Sequence, residues 1–308
     1  MNGHVNLPMA KAGPTLAAPA PGTQTGVAPG INLPERLRRI EHVALDMDGT
    51  IYSGGTLFNF TNRFLAGLGE MGIGYSFLTN NSSKSVKDYV KHLQRMGVTA
   101  TPEQFFTSTQ ATVEYLRDSM PATRRLFVLG TVSMREELAE AGYTLTHDNA
   151  GDEPDAVVLG FDTDLVFARL CRAAWWVKQG KPYLASHPDR ICPTDQPTVL
   201  VDCGSVIAAI KAATGREPDA VLGKPDPRML RGLLQRHELR ADQLAMVGDR
   251  FYTDMAMARR AGALGVLVLT GEATAAEAAT FQPAPDLVAA NLAEFGEKLR
   301  AAKAGRNL

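Results

Sequence analysis

Cysteine is scarce, and its placement excludes two kinds of organisation at once. Cys171, Cys192 and Cys203 are an odd number without metal-ligand spacing, so neither a disulfide framework nor a thiolate metal centre organises the chain. In a reducing compartment all three stand as free thiols; pairing of Cys192 with Cys203 is the alternative in an oxidising one. Excess charge is lacking too. A formal net charge of −1 offers no electrostatic footprint for nucleic acid. Nowhere do about 18 apolar residues run together, which excludes a membrane-spanning helix. Heptads and internal repeats are absent.

The first 34 residues are nearly uncharged, rich in Pro, Gly, Ala and Thr, and without helical or strand periodicity. They read as a disordered N-terminal tail over 1–34. A secretory signal needs a basic start and a continuous apolar core, whereas residues 1–16 contain Gly, Pro, Asn and Lys. Arginine does not occur before Arg36, which argues against a transit peptide. The expected compartment is the cytoplasm. At 308 residues the chain can hold one large or two moderate domains, and its 45% apolar share is that of a globular protein.

What is present is concentrated at four strand ends. Asp46-Met47-Asp48-Gly49-Thr50 follows the β-like run 40–45 directly, so two carboxylates two residues apart sit where a strand gives way to a glycine turn. In an open α/β sheet such a place lies in the ligand-binding crevice. The chemistry it suggests is an aspartate nucleophile with a second carboxyl group as general acid and base; the alternative is an acidic turn. Residues 75–78 end in Thr79-Asn80-Asn81-Ser82-Ser83, a set of hydroxyls, amides and backbone N–H groups suited to phosphate oxygens. Residues 220–222 read as a third strand running into Gly223-Lys224-Pro225, where one cation could neutralise Asp46 and an incoming phosphate. Residues 244–247 are followed by Gly248-Asp249-Arg250-Phe251-Tyr252-Thr253-Asp254, and Asp249 with Asp46 could hold a hard dication through oxygen. Against these readings, Lys224 could be a solvated turn lysine and Asp254 a helix-start acid. Arg250 and Tyr252 read as rim or packing residues.

Through these four motifs the chain resembles the haloacid dehalogenase superfamily of phosphatases, over about residues 40–290. Within it the chain is similar to the p-nitrophenylphosphatase or NagD-like branch, subclass IIA. The pieces that carry this are Thr79 to Ser83, Val157-Val158-Leu159-Gly160-Phe161-Asp162, Ala185-Ser186-His187-Pro188-Asp189 and Ala212-Ala213-Thr214-Gly215. The resemblance implies Asp46 as the nucleophile that becomes an aspartyl-phosphate, and Asp48 as acid and then base. It also implies a Mg²⁺ site from Asp46, Asp249 and the backbone carbonyl of Asp48. Thr79 and the N–H of Asn80 would bind the phosphoryl oxygens together with Asn81, Lys224 would balance their charge, and Asp254 would orient a metal-bound water or Lys224.

Strands alternating with helices predict a doubly wound parallel α/β sheet. Roughly 140 residues separate Asn81 from Lys224, far more than one crossover needs. They have their own α/β rhythm and must form a second domain. By analogy with the family, a core over 35–109 and 215–308 carries an inserted α/β cap over 110–214. A cap that closes on the catalytic edge can exclude water and select the leaving group. Phe161, Asp162, His187, Asp189 and Arg190 are its candidate substrate contacts, with a structural loop histidine the alternative for His187. Trp175-Trp176 lies mid-helix, so at least one is expected in the core. The expected partner is a small phosphate ester such as a nucleoside monophosphate, a sugar phosphate or phosphoglycolate, with neither nucleic acid nor membrane, and pairing of two copies through the cap is compatible with this build. A phosphomutase would need to shield the aspartyl-phosphate from water. A dehalogenase would need neither Asp48 nor a metal, and a phospho-ligand sensor would have no evident use for Asp48 and a cap together.

Overall fold

The computed structural model describes residues 32–194 and 196–306. The tail expected over 1–34 falls almost wholly outside them; within it, Asn32 accepts from the backbone N–H of Glu35 and starts the helix Leu33–Arg39. All three cysteines are free. Among the described residues no helix is long and apolar enough to cross a membrane.

Six parallel strands form the main sheet, in the order Leu287–Ala289, Leu264–Val268, Leu244–Gly248, His42–Asp46, Gly74–Thr79, Phe105–Thr107. The first strand in sequence is therefore near the middle. The chain builds outward on one side of it, leaves for the second domain, and returns to build the other side. Strand order reverses between His42–Asp46 and Leu244–Gly248, and the crevice at such a switch point is where a doubly wound sheet receives ligand. These strands are covered on both faces, which is why they read as apolar runs rather than as alternation.

Five further parallel strands form a second sheet, in the order Ala220–Val221, Tyr183–Ala185, Ala156–Leu159, Arg125–Leu129, Thr144–Leu145. An inserted α/β unit is thus present, with edges different from 110 and 214. The helix Ser108–Ser119 begins ahead of the expected start and packs on both Arg228–Arg236 and Val132–Glu140, so it belongs to both units. The patterning over 220–222 predicts a core strand, yet Ala220–Val221 pairs with Tyr183–Ala185 in the second sheet. A two-residue apolar run satisfies either sheet, and only the pairing distinguishes them. A short antiparallel hairpin, Ile191–Cys192 with Leu200–Val201, also goes beyond the polar loop that the sequence predicts there. Trp176 is buried and Trp175 is partly exposed, edge-on to it at 4.4 Å between ring centres.

The two units touch through the helices Val86–Arg95 and Val132–Glu140. Ser85 and Asp88 form a reciprocal cap at the start of the first. Glu137 Oε1 adds an acceptor for the N–H of Val86 at 2.7 Å, Thr131 Oγ1 donates to Ser83 O at 3.0 Å, and Lys87 pairs with Glu140. Burial, then the charges of Asp88 and Glu140, raise the Glu137 carboxyl to about 7 against the pull of the Val86 N–H and Lys87. A raised carboxyl means that folding favours its protonated form. Its contribution is full below the ordinary value near 4.5 and is lost as pH rises through about 7. Glu137→Gln should therefore gain stability relative to the parent between pH 5 and pH 8, by about 1–3 kcal/mol in urea unfolding. A difference that does not vary with pH would remove Glu137 as its source.

Candidate active site

Asp46 ends the central strand, and the next three residues turn back on themselves: the N–H groups of Thr50 and Ile51 both reach Met47 O, at 3.2 and 2.9 Å, and Gly49 N reaches Tyr52 O at 2.8 Å. Gly49 has φ +81°, and a Cβ there would stand 2.5 Å from Asp249 Oδ2. Only glycine combines that conformation with that approach. The turn thereby brings the loops after His42–Asp46 and Leu244–Gly248 into contact.

Lys224 joins three of the four motifs. Its ammonium donates to Asp46 Oδ1 and to Asp254 Oδ1, the latter at 2.8 Å, and both the lysine and Asp254 are buried. Burial alone would lower its pKa; Asp254 and Asp46 overcome that and hold it firmly protonated. The solvated-turn reading of Lys224 and the helix-start reading of Asp254 are both corrected by this geometry. Asn80 fixes the loop in place. Its amide donates to Lys224 O and to Asp189 Oδ2, both at 3.0 Å, and its Oδ1 accepts from Lys224 N at 2.7 Å. Thr79 is buried at the end of its strand, where its hydroxyl accepts from the N–H of Asn81 at 3.1 Å. Asn81 turns its own carbonyl oxygen back to Ser83, leaving its amide toward Cys192 Sγ at 3.7 Å.

Asp48 is the exposed member of the group and stands at the mouth of the cleft. Partial withdrawal from water, then the charge of Asp46, raise its pKa. Two carboxylates two residues apart are thus differentiated: Asp46 is tied to the Lys224 ammonium, and Asp48 is biased toward the acid.

One oxygen each of Asp46, Asp249 and Asp254 lies within 4.8 Å of the others. Asp249 Oδ2 accepts from the N–H of Glu272 at 2.6 Å, while its Oδ1 is buried and has no hydrogen-bond partner. A buried orphan carboxylate oxygen is costly. Burial, with Asp46 and Asp254 close by, drives the Asp249 pKa upward. All-oxygen donors and an unsatisfied carboxylate suit a hard dication such as Mg²⁺. Asp48 contributes no side-chain oxygen to this group.

The cap candidates separate. Asp189 lines the cleft, as does Cys192. His187 is wholly buried, its ring nitrogens 2.8 Å from Ser186 Oγ and 2.8 Å from Asp202 Oδ1. Asp202 in turn caps the helix Cys203–Thr214. His187 is thus the structural loop histidine, supporting the loop that carries Asp189. Phe161 is buried, its N–H given to Ser82 Oγ at 2.9 Å, and Asp162 Oδ1 caps the turn at Asp164. Arg190 is exposed. None of these four lines the cleft. Arg250, expected at the rim, does line it, with its Nε 3.0 Å from Glu272.

Models of the haloacid dehalogenase-like hydrolase and HAD-hydrolase-like families match residues 43–144 and 221–295. The crystal structure of a 4-nitrophenylphosphatase from Thermotoga maritima is 38% identical, covers 85% of this chain and 98% of its own, and superposes with a TM-score of 0.80. A glycerol phosphate phosphatase from Mycobacterium tuberculosis, solved in complex with magnesium, is 29% identical over 86% of this chain and 80% of its own, with a TM-score of 0.78. An acid sugar phosphatase of Staphylococcus aureus is 29% identical over 238 residues, 77% of this chain and 90% of its own. Fold and sequence thus define a phosphatase with a doubly wound α/β core and an inserted cap. The chain belongs to the haloacid dehalogenase-like hydrolase family, in its p-nitrophenylphosphatase and NagD-like branch.

Proposed function

We propose that this chain is a Mg²⁺-dependent phosphomonoester hydrolase that works through an aspartyl-phosphate on Asp46. The observation that carries the reading is Lys224, buried and shared between Asp46 and Asp254 beside the unpartnered oxygen of Asp249. The lysine holds the nucleophile oriented. An Asp46 oxygen attacks phosphorus, the bond from phosphorus to the leaving oxygen breaks, and Asp48 gives its proton to that oxygen. Asp48, now a carboxylate, takes a proton from a water that attacks phosphorus of the acyl-phosphate; inorganic phosphate leaves and Asp46 is restored. Thr79 and the N–H of Asn80 face the transferring oxygens from the neighbouring strand end. Asp46, Asp249 and the Asp48 carbonyl would hold Mg²⁺, with Asp254 behind them. When bound, the ion supplies positive charge against the carboxylates and phosphoryl oxygens.

The cleft is confined, with a volume of about 100 Å³. That supports a small leaving group, in keeping with relatives named for sugar phosphate, glycerol phosphate and 4-nitrophenyl phosphate. Release of free phosphate across a panel of esters with Mg²⁺ tests the reading and separates hydrolysis from mutase chemistry. Within the panel, Asp48→Asn should slow esters of alkyl alcohols at least about tenfold more than p-nitrophenyl phosphate, whose phenolate leaves without a proton. Equal losses would assign Asp48 to structure alone.

A further inference from the structure

The cleft has a wall that the phosphate chemistry leaves unused. Three cations line the cleft, Lys224, Arg250 and Lys84. The first two are held in ion pairs, Lys224 with Asp46 and Asp254, Arg250 with Glu272. No carboxylate forms an ion pair with Lys84 among the described residues. Its ammonium lies 5.8 Å from the centre of the Tyr89 ring, and its charge acts on Asp48 and on His92, which also lines the cleft. Tyr52 meets His92 edge-on at 5.4 Å. The cap gives Ile191, Cys192 and Pro193 to the same cleft, and with them Asp189 and Asp202, whose carboxylates are engaged by Asn80 and His187. A half-buried ammonium among rings and without an ion-pair partner can receive an anionic group in the cleft.

We infer that Lys84 and the adjoining His92 form an anion subsite for the leaving group, so that the preferred esters carry a second negative group, carboxylate or phosphate, beside the one cleaved. This rests on the hydrolase reading above and narrows its substrate class. The transferring phosphate is bound at the sheet edge by Thr79, Asn80 and Lys224. The second anion would extend along the helix Val86–Arg95, beneath the cap hairpin.

The test compares matched esters on the full chain with Mg²⁺. sn-Glycerol 1-phosphate and D-3-phosphoglycerate share one configuration and differ only in an alcohol against a carboxylate; 3-hydroxypropyl phosphate and 1,3-propanediol bisphosphate differ in an alcohol against a phosphate. The parent should favour the charged member of at least one pair by tenfold or more in kcat/KM, through KM, and that pair identifies the anion. Lys84→Met should erase the preference and Lys84→Arg should keep most of it. The same esters used as ligands in thermal shifts of Asp46→Asn, which does not depend on turnover, should show the same order. Equal handling of charged and neutral esters in both pairs would overturn the subsite. So would a common fall for every ester in Lys84→Met with a displaced pH profile, since Lys84 would then act through Asp48. Failure of the parent to release phosphate from p-nitrophenyl phosphate would instead overturn the hydrolase reading, and the thermal shifts would still decide the subsite.

Discussion

Asp46→Asn should leave the protein folded and without turnover. An amide oxygen cannot displace the leaving group to give an acyl-phosphate that water then clears, so the loss should be at least about a thousandfold in kcat, or 4 kcal/mol in the barrier. Stability should move the other way. Asp46, Asp249 and Asp254 crowd their oxygens within 4.8 Å around one ammonium, and part of the rise in the Asp249 pKa comes from Asp46. Removing one charge relieves that repulsion, while the Asn oxygen can still accept from Lys224. The metal-free variant should therefore melt no lower than the parent. Inactivity with an unchanged or raised Tm separates a nucleophile from a structural carboxylate; retention of a tenth of the rate would dismiss Asp46 from that role.

The catalytic edge was legible in the sequence because each of its parts ends a strand, and strand ends of one sheet converge whatever the details of packing. Asp46, Thr79 and Asp249 needed only the alternation of apolar runs and turns to be placed together. Lys224 was legible as a motif but not as geometry: its strand belongs to the second sheet, and it reaches Asp46 because Asn80 ties its backbone down. The cap was harder. His187 follows a strand and precedes a polar loop, a pattern shared by an exposed ligand contact and by a buried loop support, and only the pairing with Asp202, 15 residues on, decides between them. The wall of Tyr52, Lys84 and His92 was not legible either. Tyr89 falls on the buried stripe of an amphipathic helix, and nothing in that periodicity says that its neighbours border a cleft. The two-residue strands Ile191–Cys192 and Leu200–Val201 escaped for a plain reason: they are too short to show a period.

Removal of the metal should abolish activity as completely as loss of the nucleophile, but reversibly. A chelator should bring phosphate release to background and Mg²⁺ should restore it, whereas Ca²⁺, which takes more ligands at longer distances, should inhibit. The same carboxylates predict a second readout that does not involve turnover. Without a cation, Asp249 is buried with one oxygen unpartnered and a pKa raised by burial and by two neighbouring acids. Binding a dication requires its ionised form, so Mg²⁺ should displace protons, and affinity should strengthen as pH rises toward the raised pKa. Because the folded chain alone gathers these oxygens, Mg²⁺ should also stabilise it, by about 2.7 kcal/mol at a hundred times Kd. Asp249→Asn should lose most of that stabilisation and most of the activity, while remaining as stable as the parent in chelator, since it exchanges a strained acid for a neutral amide that can still accept from Glu272. Full activity in chelator would eliminate the metal. An Asp249→Asn variant stabilised by Mg²⁺ as strongly as the parent would move the metal away from Asp249 and leave the buried orphan oxygen without an account.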